Sequence, residues 1–196
     1  MRARNSKMKQ LKNAGQVRII GGKYRSRKLK VHDIEGLRPT TDRVKETLFN
    51  WLMPYLSNAT VLDCFAGSGG LGFEALSRYA KEVVFVELDA LAHQQLKDNL
   101  KQFGADNAQT LKGSCLDIMP KLDQQFDIIF VDPPFRKDLA MTTCHLIEQH
   151  NLLLENGIIY LEVERELSEI NLPNNWQVLK QKDFGQITSY LIHKVG

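Results

Sequence analysis

The chain has 196 residues, 43% hydrophobic and 25% charged, the composition of an ordinary globular domain that can bury a sizeable core. Its net charge of +3 hides two unlike parts: residues 1–45 hold 14 Lys/Arg against 3 Asp/Glu, and residues 46–196 hold 12 against 20. A basic arm on an acidic body points to a polyanionic partner for the arm. No apolar run approaches the roughly 18–20 residues of a membrane span, and the basic N-terminus lacks the apolar stretch of a secretory signal. The three cysteines, Cys64, Cys115 and Cys144, are far apart in sequence and form no CxxC pair, which argues against a disulfide framework or a cysteine-ligated metal. A cytoplasmic monomer without metal is the expectation.

Residues 1–15 read as a flexible basic tail, and 16–37 as a hairpin extension. Its strands are Val17–Ile20 and the stretch near Arg27–Val31, joined by a turn rich in Gly and Arg. Residues 41–53 read as a helix capped by Thr41 or Asp42, with Val44, Leu48, Trp51 and Leu52 on one face and Pro54 as its stop. Short apolar strands then alternate with helices. The strands are Thr60–Cys64, Glu82–Glu87, Ala108–Lys112, Phe126–Val131 and Ile158–Val163. The helices lie near Leu71–Arg78, Ala90–Phe103, Cys115–Leu122 and Lys137–His150. Near-continuous Val/Ile/Phe runs imply strands buried on both faces, as in a parallel sheet. Gln177–Lys182 and Gln186–His193 flank Phe184-Gly185 as a hairpin would. Residues 38–196 therefore read as an α/β, doubly wound, Rossmann-like domain. Its seven-stranded sheet is mostly parallel with an antiparallel last strand.

The segment VLDCFAGSGGLG, residues 61–72, is strand, glycine-rich loop and helix, and Gly67, Gly69 and Gly72 fit G-x-G-x-x-G. Glu87 ends the next strand, where a carboxylate can accept both hydroxyls of a ribose. The plainer reading of the same residues is a tight turn and a solvated acid. A nucleoside-containing cofactor fits better, either a dinucleotide or S-adenosylmethionine. Asp63, just before the loop, would repel a pyrophosphate and attract the α-amino group of S-adenosylmethionine. After the third strand, Ser114 can meet an adenine amino group and the Cys115 amide a ring nitrogen. A capped helix with a small buried Cys explains these two equally well.

The strand FDIIFV runs into Asp132-Pro133-Pro134-Phe135. Two prolines stiffen the backbone and donate no hydrogen bond there. The Asp132 carboxylate and the Pro133 carbonyl then present two acceptors beside the Phe135 ring. This suits an exocyclic amino group on a nucleobase, whose delocalised lone pair must be turned towards an electrophile. An acceptor-only carboxylate matches the paired N–H donors of guanine, whereas the Asn amide would match adenine or cytosine better. Adenine stays open on these residues alone.

RIIGGKYRSRKL, LRPTTDRVKETLFNWL, VLDCFAGSGGLGFEALSR, FVELD and DPPF together make the chain similar to class I S-adenosylmethionine-dependent methyltransferases. More narrowly, it resembles the RsmD family over about residues 16–193. The resemblance implies methylation of the 2-amino group of guanine 966 in 16S ribosomal RNA, within small-subunit maturation. It implies that Asp63 and the loop Phe65, Ala66, Gly67 and Gly69 hold the amino-acid part of the cofactor. Glu87 would hold the ribose, Leu88 would pack near the adenine, and Ser114 and Cys115 would form the adenine turn. Family members often carry an acid where Ser114 stands. Arg38, Pro39 and Thr40 match a segment lying against the cofactor and target pocket.

The hairpin carries Arg18, Lys23, Arg25, Arg27, Lys28 and Lys30 with Tyr24 among them. Alternation along strands sets part of this group as a stripe, fit for phosphate contact and base stacking. The hairpin is thus expected to dock 16S ribosomal RNA, free or within a small-subunit particle, while a flipped guanine enters the DPPF pocket. Trp51 and Trp176 read as core, Cys144, His145 and His150 as helix surface or packing, and Glu162–Glu166 as a strand end and solvated turn. The alternatives are an amino-group methyltransferase for another nucleic-acid base, or a ribosome-assembly RNA binder with an idle site. A dinucleotide oxidoreductase is the third.

Overall fold

The computed structural model describes residues 16–31, 42–135, 139–166 and 170–195. The basic tail, Arg38, Pro39 and Thr40 lie outside them. Two short antiparallel strands, β1 (Gln16–Arg18) and β2 (Lys28–Lys30), form the N-terminal hairpin, with Arg18 opposite Lys28 and Val17 opposite Leu29. Helix α1 (Asp42–Leu56) leads into β3 (Thr60–Asp63), α2 (Gly70–Ser77), β4 (Glu82–Glu87), α3 (Ala90–Phe103) and β5 (Ala108–Lys112). Then come α4 (Cys115–Ile118), β6 (Phe126–Val131), α5 (Leu139–Gln149), β7 (Leu153–Glu164), β8 (Trp176–Phe184) and β9 (Ile187–Lys194). Strands β3 to β9 form one seven-stranded sheet in the order β5-β4-β3-β6-β7-β9-β8. Pairings from β5 to β7 are parallel, and β9 is antiparallel to both of its neighbours. The chain leaves β3 in one direction across the sheet and returns through β6 in the other, so the switch point lies between β3 and β6.

Each central strand is apolar on both faces, with successive residues entering opposite cores. Val61, Val83, Phe85, Ile128, Phe130 and Ile158 pack on the side of α1, α2 and α3. Leu62, Val84, Val86, Ile129, Val131 and Ile159 pack on the side of α4 and α5. Helix α1 does not stop at Pro54. It continues through the proline to Leu56, because Leu52 and Leu56, one turn apart, are both buried while Pro54 faces solvent. Pro54 removes one helix hydrogen bond and crowds the carbonyl of Asn50, a cost confined to the last turn and offset by burial of Leu56.

The hairpin shares the first core rather than standing apart from it. Val17, Ile19, Tyr24, Leu29 and Val31 are buried there, each worth about 1.5–3 kcal/mol over an exposed position. Gly21 and Gly22 allow the close approach: a Cβ at Gly21 would stand 2.4 Å from the Arg78 guanidinium, and one at Gly22 only 1.9 Å from the Ser77 carbonyl oxygen. Polar clips complete the join. Ile20 N–H donates to buried Glu74 (2.9 Å), which also holds Arg78 (2.8 Å). Asn99 on α3 pairs with both backbone groups of Lys30. Buried Lys45 donates to the Arg18 carbonyl (2.5 Å) and lies 3.2 Å from Asp42, which also pairs with Arg18.

Glu74 is the most exposed of these joins to a single test. Glu74→Ala strands the Ile20 amide and the Arg78 guanidinium, and is expected to lower stability by about 3 kcal/mol. Urea unfolding measures this; a change within about 0.5 kcal/mol, the scale of an ordinary surface substitution, would show that the clip is dispensable.

Candidate active site

The site grows from the loop between β3 and α2. Gly67 (φ 51°) and Gly69 (φ 79°) occupy the left-handed region that favours glycine. A Cβ at Gly69 would also meet Leu96 and Phe73 at 2.7 Å, and one at Gly72 would meet the Phe85 ring at 2.2 Å. The three glycines of the pattern thus serve turn, turn and close helix–strand packing. Ala66 N–H bonds to the Val86 carbonyl (2.9 Å), fastening the loop to the next strand.

Carboxyl groups surround this loop at the edge where parallel strands end. Glu87, at the end of β4, accepts Gly67 N–H on one oxygen (2.6 Å) and Asp89 N–H on the other (2.7 Å). A carboxylate offers about four lone-pair sites, so two remain for a further donor pair. Asp63 is buried and accepts Gly72 N–H (3.1 Å). Burial pushes it up to about 7, against the help of the Gly72 amide, and the nearby Asp132 and Glu87 carboxylates push the same way. Asp63 is therefore a turn acceptor that keeps spare capacity for a cation.

Asp132 follows directly on β6, the strand next to β3 at the switch point. It is half-buried with Pro133, and Phe135 exposes 40% of its surface. On its other side lies Glu162, which the sequence places on a solvated strand end. The structure corrects this: Glu162 is 5% exposed, because it belongs to β7, whose Leu161 pairs with Val131. Tyr160 Oη donates to Glu162 Oε1 (2.5 Å) and stands 3.1 Å from Ser189 Oγ. Burial, then the charge of Asp132, pushes Glu162 up to about 8, while burial and Glu162 raise the Tyr160 hydroxyl well above its usual range. The available signal was an acid enclosed in the apolar run IIYLEV at a parallel strand's carboxyl end. Among the described residues no ion pair reaches Asp63, Glu87 or Glu162.

The remaining residues lie along the same edge. Leu88 is 68% exposed beside Glu87, and Leu91, unnoticed in the sequence, is similarly exposed at the start of α3. Ser114 precedes α4 without using its side chain as a cap, and the Gly113 N–H bonds back to the Glu87 carbonyl (3.0 Å). Cys115 is buried, and its thiol meets that of Cys64. Burial pushes the Cys64 thiol well above its ordinary value and Cys144 up to about 12, so neither is a ready nucleophile. Phe65 is half-buried in the loop.

The hairpin residues separate into two groups. Arg18, Lys28 and Lys30 face outward on neighbouring strands, and Lys23 and Arg25 are exposed at the tip. Tyr24 and Arg27 differ from expectation. Tyr24 is buried edge-on against Phe103 (5.1 Å between centroids) and has no face left for a base. The Arg27 guanidinium lies 3.8 Å over Phe103 and donates to the Gln102 carbonyl (2.9 Å), so it fixes the hairpin to α3. Both losses come from docking: a hairpin that shares the core must turn its aromatic inward. Among the described residues no cluster of three or more His, Cys, Asp or Glu is arranged to hold a metal ion.

The raised carboxyls at Asp63 and Glu162 give stability a pH dependence of known sign. Each binds its proton more tightly folded than unfolded. The folded state therefore holds more protons between the ordinary carboxylate range and about pH 7–8, and stability falls as pH rises through that window. Asp63→Asn and Glu162→Gln should each flatten the decline, read as urea midpoints from pH 5 to pH 9. Curves parallel to the parent's would show that the two carboxyls are not held protonated.

The site's geometry can be set beside known proteins. The chain matches the family model described as Conserved hypothetical protein 95 over residues 17–193. It is 50% identical over 184 residues to the ribosomal RNA small subunit methyltransferase D of Haemophilus influenzae, covering 92% of this chain and 94% of that one. It is 46% identical over 181 residues to the protein of the same name from Escherichia coli K12, covering 92% and 91%. The solved structure of yhhF from Escherichia coli superposes with a TM-score of 0.87 at 44% identity, covering 92% of this chain and 99% of that one. With a match along nearly its whole length, the chain belongs to the RsmD family, that of the ribosomal RNA small subunit methyltransferase D proteins.

Proposed function

We propose that the protein methylates the exocyclic 2-amino group of a guanine in 16S ribosomal RNA, with S-adenosylmethionine as the methyl donor. The observation that carries this reading is Asp132 at the switch point, at the end of β6 and near enough to Asp63 and Glu162 to raise the proton affinity of both. The names of relatives about half identical to this chain support an rRNA substrate.

The residues present fit the cofactor. Asp63, a buried carboxyl with no cationic partner among the described residues, suits the α-ammonium group. The open lone pairs of Glu87 suit the ribose hydroxyls. Leu88, with Leu91 beside it, offers the adenine an apolar face, Ser114 and the Cys115 amide its polar edge, and Phe65 to Gly69 the bare backbone. When bound, the cofactor supplies an electrophilic methyl on a sulfonium. Arg38 and Thr40, outside the described residues, are proposed to contact the cofactor.

Asp132 accepts from the guanine ring N–H and amino N–H, the Pro133 carbonyl takes the second amino hydrogen, and Phe135 stacks on the flipped base. Pro134 keeps this loop stiff. With its hydrogens held in the ring plane, the amino nitrogen directs its lone pair out of that plane towards the methyl carbon. Held this way, the amino nitrogen would be the nucleophile for the methyl group that the bound cofactor would supply, and its surplus proton would leave through the Asp132 carboxylate that already accepts from it. Burial and the charge of Asp132 raise the proton affinity of Glu162, so the pair favours a single negative charge, the one on Asp132. Arg18, Lys23, Arg25, Lys28 and Lys30 are proposed to meet RNA phosphates. The reaction would take place in the cytoplasm, on 16S ribosomal RNA in a small-subunit particle, by a monomeric enzyme.

Asp132→Ala should lower methyl transfer at least about 100-fold while leaving S-adenosylmethionine affinity within about twofold of the parent. Methyl-labelled cofactor and small ribosomal subunits provide the assay, and mass spectrometry of the digested RNA should give N2-methylguanosine. Near-normal turnover would remove Asp132 from the chemistry, and a methylated adenosine would overturn the choice of base. Replacing Lys28 and Lys30 together by Ala should weaken RNA binding and reduce the slope of log affinity against log salt by about 2. An unchanged slope would take the outer face of the hairpin out of the interface.

A further inference from the structure

Three helices of this chain end in the same backbone motif. An amide just past the helix donates five residues back, around one residue in the left-handed region. Ala80 bonds to Ala75 around Tyr79 (φ 69°) after α2, Ala105 to Leu100 around Gly104 (φ 62°) after α3, and Leu152 to Ile147 around Asn151 (φ 51°) after α5. Gly and Asn are the residues that enter this region readily; an aromatic residue with its Cβ is strained there. Among the described residues Tyr79 gains nothing to offset the strain. It is 63% exposed, and among the described residues no hydrogen bond, ion pair or ring contact holds its side chain. Its carbonyl accepts Asn58 N–H (3.0 Å), which any residue at this position would do.

The surroundings identify the partner. The hairpin tip lies on the last turn of α2: Tyr24 N–H donates to Ser77 Oγ (2.9 Å), and Ser77 Oγ donates to the Gly21 carbonyl (2.5 Å). This brings exposed Lys23 and Arg25 to the segment that carries Tyr79, and exposed Lys81 follows two residues later. Tyr55 and Met53 are exposed at the end of α1, joined to Tyr79 through the turn at Asn58. The acid of this segment, Glu74, is buried and committed to Arg78 and the Ile20 amide. Glu82, half-buried at the start of β4, is the remaining acid close in sequence.

We infer that Tyr79 and Lys81 extend the RNA-docking face beyond the hairpin tip of Lys23 and Arg25, the tyrosine ring stacking on an unpaired base of ribosomal RNA. The inference rests on the reading of ribosomal RNA as substrate and adds a contact that the catalytic edge does not contain. Exposed aromatics framed by cations fit the stacking and phosphate contacts of single-stranded RNA. The surface lies at the far end of α2, about 12 Å along its axis from the glycine loop. The outward face of the hairpin, with Arg18, Lys28 and Lys30, connects the two ends. Tyr79 thus takes the stacking role that burial denies to Tyr24.

A single substitution separates this from a structural role, because the two predict opposite signs. Tyr79→Gly relieves the backbone and should raise the melting temperature by about 2–4 °C. It should also weaken binding to protein-free 16S ribosomal RNA about tenfold. Tyr79→Phe should keep the affinity, and S-adenosylmethionine affinity should not change in either variant. A lower melting temperature for Tyr79→Gly, or an unchanged affinity for the RNA, overturns the inference. So does a loss seen with small subunits but not with protein-free RNA, which would assign Tyr79 to a ribosomal protein. The binding measurement needs no methyl transfer, so failure of the parent enzyme to methylate counts against the proposed function alone.

Discussion

Asp63 ends β3 and Glu162 lies near the end of β7, the parallel strands on either side of the one that leads into Asp132, and each is buried where water gives a carboxylate little help. This juxtaposition follows from the topology. Parallel strands all finish at one edge, and the switch point between β3 and β6 leaves that edge open. Removing a carboxyl group from water disfavours its ionised form, and nearby carboxylates disfavour it further. The site therefore stands poised for positive charge, which the chain itself does not bring to Asp63, Glu87 or Glu162 among the described residues. A ligand carrying an ammonium and a sulfonium is the complement of such an edge.

The same economy of elements positions the basic face. The hairpin reaches the catalytic body through α2 and α3, the two helices that also frame the glycine loop. Glu74 and Ser77 hold its tip and Asn99 its second strand. Gly69 and Gly70, at the start of α2, lie within contact of Leu96 on α3 and Val17 on β1. Charge in the first 45 residues thus divides by use. Arg27 and Lys45 hold the fold together, whereas Lys23, Arg25, Lys28 and Lys30 remain on the surface. Counting charges alone would have assigned all of them to RNA.

Much of the fold was readable from the residues because its signals are local. Strand–loop–helix at residues 61–72, apolar runs at β4 and β6, and the closing β8–β9 hairpin each declare themselves within about twenty residues. The misreadings have long-range causes. Pro54 failed to end α1 because burial of Leu56 outweighs the loss of one amide, and that burial depends on a core built from distant strands. Tyr24 turned inward because Phe103 waits for it nearly eighty residues later. Glu162 was read as solvated because its neighbours Asp132 and Ser189 come together only through the sheet register. Asp63, Glu87 and Asp132 could be placed from sequence because each sits at or just after a strand end, and parallel strands bring those ends to one edge.

The carboxyl edge is a cation site at which burial raises the proton affinity of Asp63 and Glu162. Calorimetric titration of S-adenosylmethionine into the protein at about pH 6, in two buffers of different ionisation enthalpy, measures the protons exchanged on binding. Binding should release protons as Asp63 ionises against the ammonium group. The release should fade as pH rises past about 8 and shrink in Asp63→Asn. Equal heats in both buffers, or an affinity that Asp63→Asn leaves untouched, would contradict the account.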